Sequence, residues 1–228
     1  MKKFAIFTLV LILAALLCIP AFAAAELTVT DATLFIYDDD DDGYFFAVVE
    51  NTGDTPAYYR SGVLEILDDD GNAFITKNYV SSSPYGIYLE PGDSAYVRES
   101  IWDKALLETK VGGYNFTVTT DTWGTKYREI PCDAEFYYST ESTYDNEMFV
   151  TFTNDSDDLL HDIAIVAALY DEDDTLLYVY STSYGNIAIH PGGTITIMLD
   201  VNSALAKHLN AYDYTPVRIV GLVYAEED

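Results

Sequence analysis

Residues 148–171 read MFVTFTNDSDDLLHDIAIVAALYD, and residues 45–68 read FFAVVENTGDTPAYYRSGVLEILD. The stretches align without a gap at an offset of 103 (148 less 45). Asn154 falls on Asn51, Asp157 on Asp54, Val166 on Val63 and Asp171 on Asp68. Further on, Pro191-Gly192 falls on Pro91-Gly92 at an offset of 100, preceded by Tyr184-Gly185 and Tyr85-Gly86. Order, spacing and residue class agree across the unit, as a tandem repeat requires. The expected division is residues 26–126 and residues 127–228, each the size of one β-sandwich domain.

The local pattern is that of strands. Phe45, Ala47 and Val49 alternate with Phe46, Val48 and Glu50, and Met148, Val150 and Phe152 alternate with Phe149, Thr151 and Thr153. In the next strand Glu65 belongs in water, which turns Leu64 and Ile66 inward. By alignment Ala167 and Leu169 point inward and Tyr170 outward. Asp68-Asp69-Asp70-Gly71 and Asp171-Glu172-Asp173-Asp174 read as hairpin turns, because Asp and Gly tolerate positive φ. Each half has one helical candidate. Ile101–Leu107 follows Ser100, and Ser203–Leu209 follows Asn202, with Ser and Asn as N-caps. The prediction is all-β: two tandem immunoglobulin-like β-sandwich domains, each with one short helix, after a cleaved signal peptide.

That signal peptide is residues 1–23. Lys2 and Lys3 open it, Phe4 to Ile19 is nearly all apolar, Pro20 interrupts, and Ala21-Phe22-Ala23 offers small-x-small cleavage after Ala23 or Ala25. The apolar run is short for a membrane anchor. Leu17 stands before Cys18 where lipoprotein processing wants a small residue. Cleavage leaves Cys132 as the one cysteine, so no intramolecular disulfide forms. With no His or basic cluster nearby, Cys132 reads as a packed residue at a strand start and not as a reactive thiol.

The chain of 228 residues carries 11 Lys+Arg against 38 Asp+Glu, a formal charge of −27, and half its residues are hydrophobic. It can bury a core, and it repels nucleic acid and anionic membranes. Cations, neutral molecules and basic proteins remain as ligands.

Phe152-Thr153-Asn154-Asp155, Ile163 to Leu169, Leu169-Tyr170-Asp171 and His190-Pro191-Gly192 carry a family resemblance, with an echo in Val49–Gly53, Ile66-Leu67-Asp68 and Glu90-Pro91-Gly92. The unit resembles the FxLYD family of bacterial extracytoplasmic sandwich domains. Ala167 or Leu64 stands where that motif has Phe. The resemblance implies a secreted immunoglobulin-like sandwich with no shared catalytic activity, and fold alone does not assign a role.

No motif for catalysis is present: no Gly-x-Ser-x-Gly, no His-Glu-x-x-His and no phosphate-cradling Gly-rich loop. His161, His190 and His208 lack metal-ligand spacing and read as surface histidines. The chain is therefore expected to be no enzyme, with no catalytic, cofactor or metal residue assigned. A hydrolase with unmarked carboxylates would need an acid-lined cleft between the domains. Asp38-Asp39-Asp40-Asp41-Asp42-Gly43 has the Asp-x-Asp-x-Asp-Gly spacing of a calcium loop, with Asp38, Asp40 and Asp42 as its ligands. Val49 stands where a bidentate Glu belongs, so the loop reads first as a charged hairpin tip. Asn115-Phe116-Thr117 and Asn154-Asp155-Ser156 are read as chance glycosylation matches.

Tyrosine is the other unusual feature, with 20 in the chain. The clusters are Tyr58-Tyr59, Tyr85 with Tyr88, Tyr137-Tyr138, and Tyr178, Tyr180 and Tyr184. Tyr178 and Tyr180 are expected on display, opposite Leu177 and Val179. Exposed Tyr is a frequent anchor in protein and glycan recognition. The sequence thus points to a secreted or envelope, extracytoplasmic, non-enzymatic binding module with a protein or glycan partner. It would have no nucleic-acid partner and no membrane insertion after signal cleavage. The alternative is a calcium-stabilised structural or adhesive domain pair.

Overall fold

The computed structural model describes residues 24–37, 41–139, 141–142, 146–211 and 214–226; the signal segment 1–23 lies outside them. Seven strands come from the first half: β1 (Leu27–Ile36), β2 (Asp42–Asn51), β3 (Ala57–Asp68), β4 (Ala73–Val80), β5 (Ile87–Leu89), β6 (Ser94–Trp102) and β7 (Val111–Asp121). Seven come from the second: β8 (Tyr127–Ile130), β9 (Cys132–Tyr137), β10 (Glu147–Thr153), β11 (Ile163–Tyr170), β12 (Leu176–Tyr184), β13 (Thr194–Asp200) and β14 (Arg218–Glu226). The helices are α1 (Ala105–Glu108) and α2 (Ser203–Ala211).

The fold is an all-β sandwich arrangement of four sheets with antiparallel strands. Sheet A is β1-β2-β6, and sheet B is built on β3, flanked by β7 on one side and by β4 and β5 on the other. Sheet C is β12-β11-β14-β8, and sheet D is β13-β10-β9. The order β1-β2-β6 in A matches β9-β10-β13 in D, and β4-β3-β7 in B matches β12-β11-β14 in C. Between β8 and β9 the chain passes from sheet C to sheet D at Pro131, a residue that cannot donate to either ladder.

Period-2 patterning sets the inner faces. Phe45 packs edge-on against Tyr114 and Phe116 of β7 at 5.4 and 4.9 Å between centroids, so its side of sheet A faces sheet B. Leu64, Ile66, Met148, Val150, Ala167 and Leu169 are fully buried, as alternation requires. Gly221 of β14 makes room in the second half: a Cβ there would lie 2.7 Å from Ala134 Cβ of β9.

The repeat is drawn in hydrogen bonds. The buried Asn51 side chain donates to Thr55 O and Leu89 O at 2.9 and 3.0 Å and accepts from Gly53 N at 3.1 Å. The buried Asn154 donates to Asp158 O and Ile189 O, both at 2.8 Å, and accepts from Ser156 N at 3.1 Å. Each backbone carbonyl accepts from a left-handed glycine, Gly92 or Gly192. At the hairpins, Asp68 Oδ1 accepts from Asp70 N and Asn72 N, and Asp171 Oδ1 from Asp173 N and Thr175 N. The left-handed residue is Gly71 in the first turn and Asp174 in the second. Burial of Asn154 makes its glycosylation match a structural asparagine.

Two expectations change. Ile101 and Trp102 belong to β6, so the first helix is the single turn α1, where Asp103 Oδ1 and not Ser100 accepts from Ala105 N at 3.0 Å. Asn202 caps α2 as predicted, accepting from Leu205 N at 3.0 Å. Tyr178, expected on display, and Tyr170, expected outward, are buried and Tyr180 is half-buried, because the first half covers this face of sheet C. The Phe46 and Tyr178 rings meet at 5.5 Å, Tyr170 donates to the Tyr96 hydroxyl, and Leu176 N donates to Asp31 Oδ2. Tyr44, Phe46 and Val48, which point away from sheet B, are therefore as buried as the sandwich core.

Candidate functional site

Several partly exposed aromatics gather on the outer face of sheet B. Tyr58 and Arg60 are two apart on β3 and so share a face. Tyr58 is the cross-strand partner of both Tyr88 on β5 and Asp121 on β7. The Tyr58 and Tyr88 rings meet edge-on at 5.0 Å. Residues after β7 then return to β5: Thr125 N donates to Gly86 O and Tyr88 N to Thr125 O. Gly124 lies directly against Tyr58 and Gly86 O, an approach that excludes any side chain.

This return fixes Trp123 and Lys126 beside the tyrosines. The Arg60 guanidinium lies between two rings, 5.7 Å from the Tyr85 centroid and 5.2 Å from that of Trp123. Arg60 Nε donates to the Tyr85 hydroxyl, and its Nη1 is 3.6 Å from Asp121 Oδ2. Backbone donation from Thr122, then the Arg60 charge, hold the Asp121 carboxyl below its usual range. Lys126 Nζ sits 4.4 Å from the Tyr88 centroid, and the Tyr88 hydroxyl donates to Glu90 Oε1 at 3.0 Å. Tyr85 and Trp123 remain more than half exposed. The result is a platform of rings braced by Arg60, with carboxylates and cations at its rim.

Beside Tyr88 the surface dips into a cleft of about 240 Å³ where the halves meet. Tyr88, Asp93 and Ser94 line it from the first half, and Tyr127, Glu129 and Tyr224 from the second. Two carboxylates, Asp93 and Glu129, thus line it. Desolvation and then the Asp93 charge raise the Glu129 carboxyl above its usual range. Burial, with Glu129 and Asp93 adding, pushes the Tyr224 phenol well up.

The other predicted residues disperse. Tyr59 is buried and donates to Val80 O at 2.7 Å, Tyr137 is exposed, and Tyr138 donates to Asn210 Oδ1 at 2.9 Å. His161 pairs with Asp162, His190 is exposed, and His208 lies in α2. Asp38, Asp39 and Asp40 of the calcium loop lie outside the described residues. Tyr37 N donates to Asp42 O, and Gly43 pairs with Ile36. Among the described residues no three His, Cys, Asp or Glu side chains gather as a metal ion would need. Cys132 opens β9 half-buried, and burial, then Glu129 and Asp133, push its thiol up. The sequence reading missed Arg98, stacked within 5.1 to 5.8 Å of the Tyr44, Tyr178 and Tyr180 rings, and it missed Trp123.

No protein-family model and no curated protein matches the chain. Among solved structures, red sea bream transglutaminase aligns with 90% of this chain at 12% identity and TM-score 0.26; this chain spans 29% of that one. Procruciferin, the 11S globulin of Brassica napus, aligns with 90% of this chain and 82% of its own at 6% identity and TM-score 0.16. Neither likeness bears on the site.

Proposed function

We infer that the chain is a secreted, non-enzymatic binding module of the bacterial envelope or its surroundings, and that the outer face of sheet B takes a neutral glycan. The carrying observation is the pair of exposed rings, Tyr85 and Trp123, both held against Arg60. Flat rings stack on the C–H faces of sugars, while a guanidinium and carboxylates at their edge bond hydroxyls. The strong negative charge disfavours anionic polymers. The rings stand among charged side chains, which suits hydroxyl-rich ligands better than an apolar protein surface. The signal segment and the FxLYD resemblance support the extracytoplasmic setting. Among the described residues no helix is long and apolar enough to cross a membrane.

The test is affinity electrophoresis of the mature protein and its Trp123→Ala variant through gels containing soluble neutral polysaccharides. Retardation of the parent and free migration of the variant support the reading. Equal migration of both in every gel overturns it, as does capture of an apolar peptide by the same face. The alternative of a calcium-stabilised domain pair predicts instead a melting rise of several degrees when calcium is restored to chelated protein.

A further inference from the structure

We propose that the cleft between the halves is a second site, which binds the ammonium group of a small organic cation. It has a wall of three tyrosines, Tyr88, Tyr127 and Tyr224, and two carboxylates, Asp93 and Glu129. Neither Lys126 nor Arg128 lines it, so no cation of the chain answers that charge from within. Asp93 accepts one backbone bond, from Glu90 N at 2.9 Å.

The independent observation is Tyr224. Its side chain is 6% exposed and lines the cleft beside Glu129 and Asp93, and its hydroxyl is bonded to no other described residue. The hydroxyl is not sealed from solvent, so a ligand that enters the cleft can meet it. Rings and carboxylates around one small space fit an organic ammonium: the ring faces attract the charge and the carboxylates neutralise it. A hard metal ion would want several converging oxygens in place of ring faces. The chain shows the contact itself, since Lys126 Nζ already sits 4.4 Å from the Tyr88 centroid outside the cleft. The raised Glu129 carboxyl agrees, because an incoming cation restores the charged form that desolvation disfavours.

The inference does not rest on the glycan reading, although Tyr88 borders both sites. Calorimetric titration of the mature protein uses tetramethylammonium and butylammonium chloride as probes. Sodium chloride at matched ionic strength, tert-butanol and calcium chloride are the comparisons. Saturable binding of an ammonium probe is expected, with no heat from tert-butanol. Glu129→Gln should weaken it about tenfold, the scale of one charge-assisted contact. Tyr224→Phe, which keeps the ring, should weaken it several-fold, and Trp123→Ala should leave it unchanged. Non-saturable heat equal to that of sodium overturns the proposal, as does stronger binding of calcium. So does ammonium binding that survives Glu129→Gln, or, should that variant fail to fold, binding untouched by Tyr224→Phe. Loss of glycan retardation with ammonium binding intact would sink the platform reading alone.

Discussion

Replacing Asn51 by alanine removes the donor to Thr55 O and Leu89 O and the acceptor for Gly53 N, in a side chain that is 0% exposed. Of the three backbone groups left behind, Leu89 O is buried and Thr55 O and Gly53 N are part-buried. At about 1 kcal/mol per bond the loss is roughly 3 kcal/mol, and more if the groups stay unpaired. For a chain of this size that lowers the melting midpoint by about 6 to 12 °C, if the protein melts as one unit. Asn154→Ala removes the matching bonds and one from Ser156 Oγ at 2.7 Å, so it should cost at least as much. Asn51→Asp is the sharper variant. It puts a carboxylate oxygen against two carbonyls and should be worse than alanine although its shape is nearly unchanged. Urea and thermal unfolding followed by circular dichroism measure all three. A loss under about 1 kcal/mol, or an aspartate that is tolerated, would refute the view that these asparagines hold the loop between the sheets.

Gly221→Ala should cost about 1 to 3 kcal/mol by chemical unfolding, because its Cβ would press on Ala134 Cβ at 2.7 Å. Cys132 should react slowly with iodoacetamide at pH 7 and faster as pH rises above the ordinary thiol range, since its thiol is pushed up; fast reaction at neutral pH would contradict that. Asp31, Glu99 and Glu129 hold protons more tightly folded than unfolded. Their contribution is present below the ordinary values of 3.8 and 4.5 and is lost as pH rises through the raised values. Asp68 and Asp121 are lowered, and their contribution is lost below 3.8. Melting midpoints should therefore fall as pH rises through the raised values of Asp31, Glu99 and Glu129, and a midpoint that climbs as they deprotonate would contradict the assignment.

The strands and the hairpins were legible because each is set by residues close in sequence, and the asparagines because they recur at one offset. Alternation located the inner faces of β3, β10 and β11 correctly. It failed at Tyr170 and Tyr178, because period-2 patterning separates two faces of a strand but does not say whether the second face meets water or another sheet. The signal was present: Ile163 to Leu169 is an unbroken apolar run, and all of it is buried. The platform and the cleft were illegible for another reason. Tyr58, Tyr88, Trp123 and Tyr224 come from separate segments, and only the return of residues 124–126 to β5 and the contact between the halves unite them.

Sheet A and sheet D are the same part of the repeated unit, and so are sheets B and C. The halves meet through A and C, hence through unlike faces, and the arrangement has a direction. A contact of that kind does not close on itself; a third unit could in principle follow the second by the same rule. The surface at that end has been changed. Where the first half presents Tyr44, Phe46 and Val48, the second has Glu147, Phe149 and Thr151, at the same offset of 103. Thr151 bonds to Thr196 and Thr153 to Thr194, both at 2.8 Å, so the hydroxyls on that face satisfy one another. The two ends of the pair therefore differ, with paired threonine hydroxyls on sheet D at one and the aromatic face of sheet B at the other.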